Sequence, residues 1–256
     1  MKKLNELYNT NYSTIINNIS INSKQVTKGD IFVCVKGVNT DRHDFIDEAI
    51  NNGASAIVVS HDVGEKNVPI IKVEDTNKEL HRLSKIFYDE PDKKLTMIGI
   101  TGTDGKTSTT TIIQTLLGKD NCGYIGTNGY SYKNIKGNTD NTTPECHKLY
   151  SYFNEFVNNG CKYCSMETSS EAFFRNRLDG IEFDISGITN ITKEHLNSHG
   201  SYENYIDCKC QLFRQTKKDG YCVLNKDDKE YEKCKSACNG KIVTYGKGKD
   251  NTLQIL

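Results

Sequence analysis

The stretch Gly99-Ile-Thr-Gly-Thr-Asp-Gly-Lys-Thr-Ser-Thr-Thr110 decides how the chain folds. It overlaps the apolar run Leu95-Thr-Met-Ile-Gly-Ile100 and sets a lysine between Gly105 and a row of hydroxyl residues. Strand, glycine-rich turn and helix in that order form the arrangement in which backbone N–H groups and a helix dipole cradle phosphate. The common phosphate loop carries a glycine five residues before its Gly-Lys pair, and that position here is Ile100. The stretch is therefore either a nucleotide site of a different build or a glycine turn closed by a capping threonine.

Working outward from the loop, apolar spacing predicts a helix over 106–117 and a strand over 122–126. A helix then opens at Thr143-Pro144-Glu145, with Leu149, Tyr152, Phe153, Phe156 and Val157 at helical spacing. Strands over 162–167 and 183–190 follow, then a helix over 202–217, a strand over 221–225, a helix over 228–237 and a strand over 241–245. This alternation predicts an α/β domain, a mostly parallel sheet of P-loop type with helices on both faces. Upstream, strands over 30–36, 54–60 and 69–73 enclose a helix over 44–53 that Gly53 ends. A further helix, faced by Leu80, Leu83, Ile86 and Phe87, stops before Pro91. Pro91-Asp-Lys-Lys94 marks a boundary between a small α/β domain, residues 1–92, and the sheet domain, residues 93–256.

Composition narrows the function classes. Lysine plus arginine and aspartate plus glutamate both total 33, so no overall field favours nucleic acid or an anionic membrane. No apolar run approaches a bilayer span and no signal-peptide core follows Met1, so a cytoplasmic protein is expected. Ten cysteines are present. Cys161 and Cys164 fall on a strand, where residues three apart face opposite sides. Cys208 and Cys210 diverge on a helix, and Cys234 and Cys238 have no histidine close behind them. Small core thiols fit this pattern better than a zinc site.

In the loop, Gly102 and Gly105 admit an anion, Lys106 can reach terminal phosphates, and the Thr107 hydroxyl can ligate Mg²⁺. A magnesium site needs further ligands at the carboxyl ends of neighbouring strands, where Glu167 and His195 stand. Lys209 sits in the middle of the apolar stripe Tyr205, Ile206, Leu212 and Phe213. Periodicity leaves two readings for it: a side chain that snorkels to solvent, or a buried amine able to take up CO₂ as a carbamate.

The loop Thr101-Gly-Thr-Asp-Gly-Lys-Thr107 resembles the ATP loop of the Mur ligases, which departs from the standard P-loop in the same way, and the resemblance favours the nucleotide reading. Folate-polyglutamate ligases share that loop. The remaining motifs are more specific: Asn141-Thr-Thr-Pro144, Met166-Glu-Thr-Ser-Ser170, Thr189-Asn-Ile-Thr-Lys-Glu-His-Leu-Asn-Ser-His-Gly200 and Tyr205-Ile-Asp-Cys-Lys-Cys-Gln-Leu-Phe213. Together they resemble the branch that adds the third, diamino acid residue of the peptidoglycan stem. Ser23-Lys-Gln-Val-Thr-Lys-Gly-Asp-Ile-Phe-Val-Cys-Val-Lys-Gly37 resembles that branch's UDP-holding N-terminal domain.

The resemblance implies that Gly102, Thr103, Asp104, Gly105, Lys106, Thr107 and Ser108 bind ATP. It implies that Thr107, Glu167 and His195 serve Mg²⁺, that Lys209 is carbamylated, and that Lys106, Lys209 and His195 take part in catalysis. Ile21, Ser23, Val38, Asn39 and Thr40 would contact the UDP-sugar. Asn141, Thr142, Thr143, Ser169, Arg175 and Arg177 would hold the muramoyl-dipeptide. The reaction implied is ATP-dependent ligation of a diamino acid to UDP-N-acetylmuramoyl-L-alanyl-D-glutamate through an acyl phosphate. Four positions depart from the family pattern: Asp104 for Asn, Glu171 for His, Arg175 for Gln and Asn197 for Asp. Family members also carry the rest of the central domain and a C-terminal domain. The chain is accordingly expected to be incomplete at its C-terminus, with a separate chain as one possible source of the missing part. The rival reading is a non-catalytic module that binds nucleotide or UDP-sugar.

Overall fold

The computed structural model describes residues 1–37, 40–192 and 199–255. Two compact units divide the chain, Met1–Glu90 and Pro91–Leu256.

In the first unit β1 (Lys2–Lys3) pairs antiparallel with β2 (Ile15–Ile16), and α1 (Leu4–Leu7) lies between them in sequence. A parallel sheet then runs in chain order through β3 (Asn18–Ser20), β4 (Asp30–Val33), β5 (Ala56–Val59) and β6 (Ile70–Lys72). Every residue of β4 and β5 is buried, as continuous apolar runs in a sheet covered on both faces should be. α2 (Ile46–Asn51) connects β4 to β5, and α3 (Thr76–Phe87) follows β6. Asp75 caps α3 by accepting from the Asn77 and Lys78 N–H groups, which fixes where the helix starts.

The second unit is built on a nine-stranded sheet among the described residues. In chain order its elements are β7 (Thr96–Thr101), α4 (Lys106–Leu117), β8 (Cys122–Gly126), β9 (Gly129–Tyr132), β10 (Ile135–Gly137) and α5 (Cys146–Asn158). Then come β11 (Tyr163–Glu167), α6 (Ser170–Phe174), β12 (Phe183–Ile188), α7 (Tyr202–Arg214), β13 (Thr216–Asn225), α8 (Tyr231–Ser236), β14 (Lys241–Gly246) and β15 (Leu253–Gln254). Across the sheet the order is β10-β9-β8-β11-β7-β12-β13-β14-β15. All pairs from β8 to β15 in that order are parallel, and the hairpin β9–β10 closes the other edge antiparallel. From β7 the chain steps outward to β8, returns to β11 and then crosses to β12. Strand order therefore reverses beside β7, and open α/β sheets bind ligands at the carboxyl ends of such strands. Register sets Glu167 opposite Ile100 and Ile188 opposite Thr101, so these ends come out level.

The α/β class and the alternation from 95 onward hold. Helix 202–217 is shorter than periodicity suggests: it ends at Arg214, and β13 begins at Thr216. The Thr216 hydroxyl donates to the Leu212 carbonyl and shares a 2.6 Å hydrogen bond with Ser186, so it closes the helix and starts the strand. The segment read as a helix over 44–53 opens as a 3₁₀ turn, Arg42–Phe45, capped by Asp41. Hairpin β9–β10, the short helix α6 and strand β15 carry no clear apolar period. All ten cysteines are free thiols, and all but Cys208 and Cys238 are buried.

One buried group makes this unit acid-sensitive. His147 on α5 is 6% exposed, and burial pushes its pKa down to about 3 from an ordinary 6.5. The folded protein thus binds fewer protons than the unfolded chain between those values. Its stability is intact above pH 6.5 and falls as the pH drops toward 3, by up to about 1.4 kcal/mol per pH unit. His147→Gln should flatten this part of the profile. Denaturant midpoints measured at pH 7, 5 and 4 for both proteins check it, and an unchanged slope in the variant would refute the assignment.

Candidate functional site

At the end of β7 the backbone takes two turns that favour glycine. Gly102 has φ +146° and Gly105 has φ +82°, the latter at the N-cap of α4, where no side chain caps the helix. A Cβ on Gly102 would lie 1.9 Å from the Thr189 hydroxyl oxygen. The loop is also tied down from the β12 side. The Asp104 N–H donates to Asn190 Oδ1 at 3.1 Å, and the Asp104 carbonyl accepts from Thr189 Oγ1 and Asn190 Nδ2. The first-turn N–H groups of α4 are thereby aimed at the sheet's carboxyl edge, the geometry of an anion site. The Asp104 side chain is exposed.

Lys106 folds over the loop and donates to the carbonyls of Gly102 and Thr103 at 2.9 and 2.8 Å. Lys209 approaches the same turn from α7. It is 2% exposed, its Nζ donates to the Gly102 carbonyl at 2.7 Å and lies 4.4 Å from the centre of the Tyr205 ring. The snorkelling reading of Lys209 is thus overturned. Tyr205 shares a 3.0 Å hydrogen bond with the Thr103 hydroxyl, so α7 is keyed to the loop through two side chains.

Glu167, at the end of β11, is completely buried. Its Oε1 accepts from the Tyr124 hydroxyl at 2.8 Å and from the Thr127 N–H at 2.9 Å, and its Oε2 from the Thr127 hydroxyl at 3.2 Å. All three donors are neutral, and together they fix the orientation of a carboxyl group buried at the end of β11. Burial, and then Glu167, push the Tyr124 phenol well above its ordinary pKa and keep it a donor. Thr127 also reaches the Thr142 hydroxyl at 3.1 Å. Thr143 is fully buried and braces the same turn, donating to the Glu167 carbonyl and accepting from the Ser169 N–H. Arg177 donates to the Thr143 carbonyl, and its Nε pairs with Glu145 at 2.8 Å.

A cleft of about 600 Å³ joins these groups. It is lined by Gly102 to Ser108, Asn141, Thr142, Glu167, Ser169, Arg177 and Lys209 among the residues singled out from sequence. Thr143 does not line it. Arg175 does not line it and is paired instead with Glu171 at 2.8 Å, a pairing made possible by glutamate at 171. His195, with Val38 and Asn39, falls outside the described residues. Ile21, Ser23 and Thr40 belong to the first unit, where Ser23 is buried in a 3₁₀ turn and donates to Glu48. Sequence reasoning missed Tyr124 and Thr127 as the groups that hold Glu167, and His199, whose Nε2 lies 3.1 Å from the Ser170 hydroxyl. Tyr124 reads as one more apolar residue of a buried strand, so only its hydroxyl could have signalled the contact.

Two family models match the chain, "Mur ligase middle domain" over residues 100–255 and "Mur ligase family, catalytic domain" over 15–88. A UDP-N-acetylmuramoyl-L-alanyl-D-glutamate–2,6-diaminopimelate ligase of Clostridioides difficile is 41% identical over 241 residues, 90% of this chain and 48% of its own. A solved ligase of that name superposes with a TM-score of 0.78 at 23% identity, over 98% of this chain and 53% of the other. MurF ligase of Thermotoga maritima, solved in complex with ADP, gives 0.62 at 26% identity, over 90% of this chain and 50% of the other. The chain spans about half the length of the curated relatives it matches.

Tyr124→Phe should remove one neutral donor from a buried carboxylate and keep the ring packing. A loss of about 1–3 kcal/mol in unfolding free energy is expected at neutral pH. Denaturant titration reads it, and a change below the error of the method would show that the phenol does not support Glu167.

Proposed function

This chain belongs to the Mur ligase family, and from that premise we propose that it forms the nucleotide- and acceptor-binding half of an ATP-dependent ligase in peptidoglycan synthesis. The acceptor in this reading is UDP-N-acetylmuramoyl-L-alanyl-D-glutamate, to which a diamino acid is joined through an acyl phosphate. The observation that carries it is the single cleft shared by the loop Gly102–Ser108, the buried Glu167, the 141–142 turn, Arg177 and Lys209.

In this reading the α4 N–H groups and Lys106 take the nucleotide phosphates, exchanging the loop carbonyls that Lys106 now holds for phosphate oxygens. Thr107, Glu167 and His195 would hold Mg²⁺, which when bound would offset phosphate charge. Asn141, Thr142, Thr143, Ser169 and Arg177 orient the acceptor peptide, and Arg175 acts from outside the cleft lining. Ile21, Ser23, Val38, Asn39 and Thr40 take the UDP-sugar. The acceptor carboxylate attacks the terminal phosphorus, ADP leaves, and the incoming amine then displaces phosphate. The protein's share is positioning and charge neutralisation. Lys209 is the group to be carbamylated: the ammonium first gives up one proton, and the neutral amine then adds CO₂ and releases a second, so that a buried cation becomes an anion in the cleft. A second reading is a module that binds nucleotide without ligating, which needs the loop and Lys106 but no charge conversion at Lys209. The two readings agree on Lys106 and part on Lys209.

Lys106→Ala should weaken ATP binding to the 256-residue chain at least about tenfold, since a charge-assisted contact of about 1.5–3 kcal/mol is lost. Calorimetry with Mg²⁺ and ATP measures this, and equal affinity in the variant would sink the loop assignment.

Lys209→Ala should keep its helix, because alanine is the better helix former, and should lower ligation when the rest of the enzyme is supplied in trans. A short carboxylate should partly restore the rate by standing in for the carbamate, and bicarbonate should stimulate only the parent. Full activity without rescue would leave Lys209 a structural residue.

A further inference from the structure

Four of the ten cysteines meet in one place. Cys210 on α7, Cys222 on β13 and Cys234 on α8 belong to a single buried core, with Cys238 packed against its edge. Among the described residues no three histidine, cysteine, aspartate or glutamate side chains are placed to hold a metal ion, so the cluster is left to the chemistry of sulfur itself. Cys210 Sγ and Cys234 Sγ lie 4.0 Å apart and share a hydrogen bond, while Cys238 Sγ donates to the Cys234 carbonyl at 3.3 Å. A disulfide needs about 2.05 Å between its sulfurs, so side-chain rotation and a small approach of α7 and α8 would close the first pair. Hydrogen bonding to Cys234 lowers the Cys210 thiol against the burial that raises it, and Arg214 adds its positive charge. Cys234 is pushed up by the same bond and then by burial. One proton thus serves two sulfurs, and Cys210 is the better nucleophile of the two.

We propose that Cys210 and Cys234 form a modification site, a dithiol that a hydroperoxide converts reversibly into a disulfide tying α8 to α7. Both residues are buried, at 3% and 2% exposure, and α8 is the element that must open to admit the oxidant. That helix has six residues and no side-chain cap at its start, so packing alone holds it and local opening is cheap. The Cys210 thiolate attacks the terminal peroxide oxygen, the O–O bond breaks, and the departing oxyanion takes up a proton. The Cys234 sulfur then attacks the resulting sulfenic sulfur, the S–O bond breaks, and hydroxide leaves with the Cys234 proton as water. Two thiols are oxidised to one disulfide, and the peroxide is reduced to an alcohol and a water. A dithiol reductant reverses the bond by exchange and becomes a disulfide itself. Cys210 directly follows Lys209, whose Nζ holds the Gly102 carbonyl, so the pair lies behind the phosphate loop. The inference rests on the packing of α7 and α8, and not on the ligand roles proposed above.

The test treats the 256-residue chain with hydrogen peroxide, blocks the remaining thiols and digests it without reduction. Trypsin cuts after Lys209, Arg214, Lys233 and Lys235, so the expected product joins peptide 210–214 to peptide 234–235. Dithiothreitol should abolish that product. Hydrogen exchange over residues 231–236 should slow at least about tenfold in the oxidised chain, because α8 can no longer open freely. Cys210→Ala and Cys234→Ala should each remove both effects. Cys208→Ser combined with Cys238→Ser, which replaces the two partly exposed thiols, should keep both, so the outcome does not hang on a core variant folding. A chain that keeps Cys210 and Cys234 reduced, whether or not Cys208 and Cys238 oxidise, would overturn the proposal. So would a crosslink between two chains, or unchanged exchange over 231–236 once the mapped disulfide is present.

Discussion

The Gly102 carbonyl is the point on which the site is hung. It accepts from Lys106 across the loop and from Lys209 out of α7, and its own residue has room for no side chain beside Thr189. One peptide group thus ties β7, α4, α7 and the end of β12 together. Strand register makes this possible, because parallel pairing to β11 and β12 brings three carboxyl ends to the same level. The rest of the cleft follows as side chains on those ends: Glu167 on one flank, Thr189 and Asn190 on the other.

How legible all this is from sequence depends on which physical signal carries each part. Buried parallel strands and amphipathic helices leave strong apolar periods, and so the loop, α4, β11 and β12 can be placed from residues alone. Hairpin β9–β10 has Gly129 and polar alternation at a sheet edge, where packing demands little. Strand β13 starts five residues before its apolar run because Thr216 is recruited by hydrogen bonds to Leu212 and Ser186, which have no periodic signature. Lys209 is the clearest case of two readings with one pattern. A helix stripe shows where a lysine's Cα sits, and the acceptor that ends its side chain, 107 positions away in sequence, is a tertiary fact. Arg175 illustrates the converse, since the neighbour that claims it is the glutamate four positions earlier.

The same distinction explains why Glu167 could be found while its holders could not. A carboxylate at the end of a buried strand is conspicuous. The phenol of Tyr124 and the hydroxyl of Thr127 look like ordinary strand and turn residues, and they become meaningful only when β8 is laid next to β11. They share the hydrogen bonding of one buried carboxyl group among neutral donors, which keeps it oriented.

Lys106 has a consequence for what the cleft will tolerate. Its ammonium is already satisfied by two carbonyls, so a visitor must displace an internal partner before it gains anything. Small monovalent anions gain too little from one contact to drive that exchange, whereas in the proposed reading a polyphosphate would meet the lysine and the helix N-terminus at once. On that reading the folded-back lysine would set a threshold, disfavouring single weak anions relative to charge-dense ones.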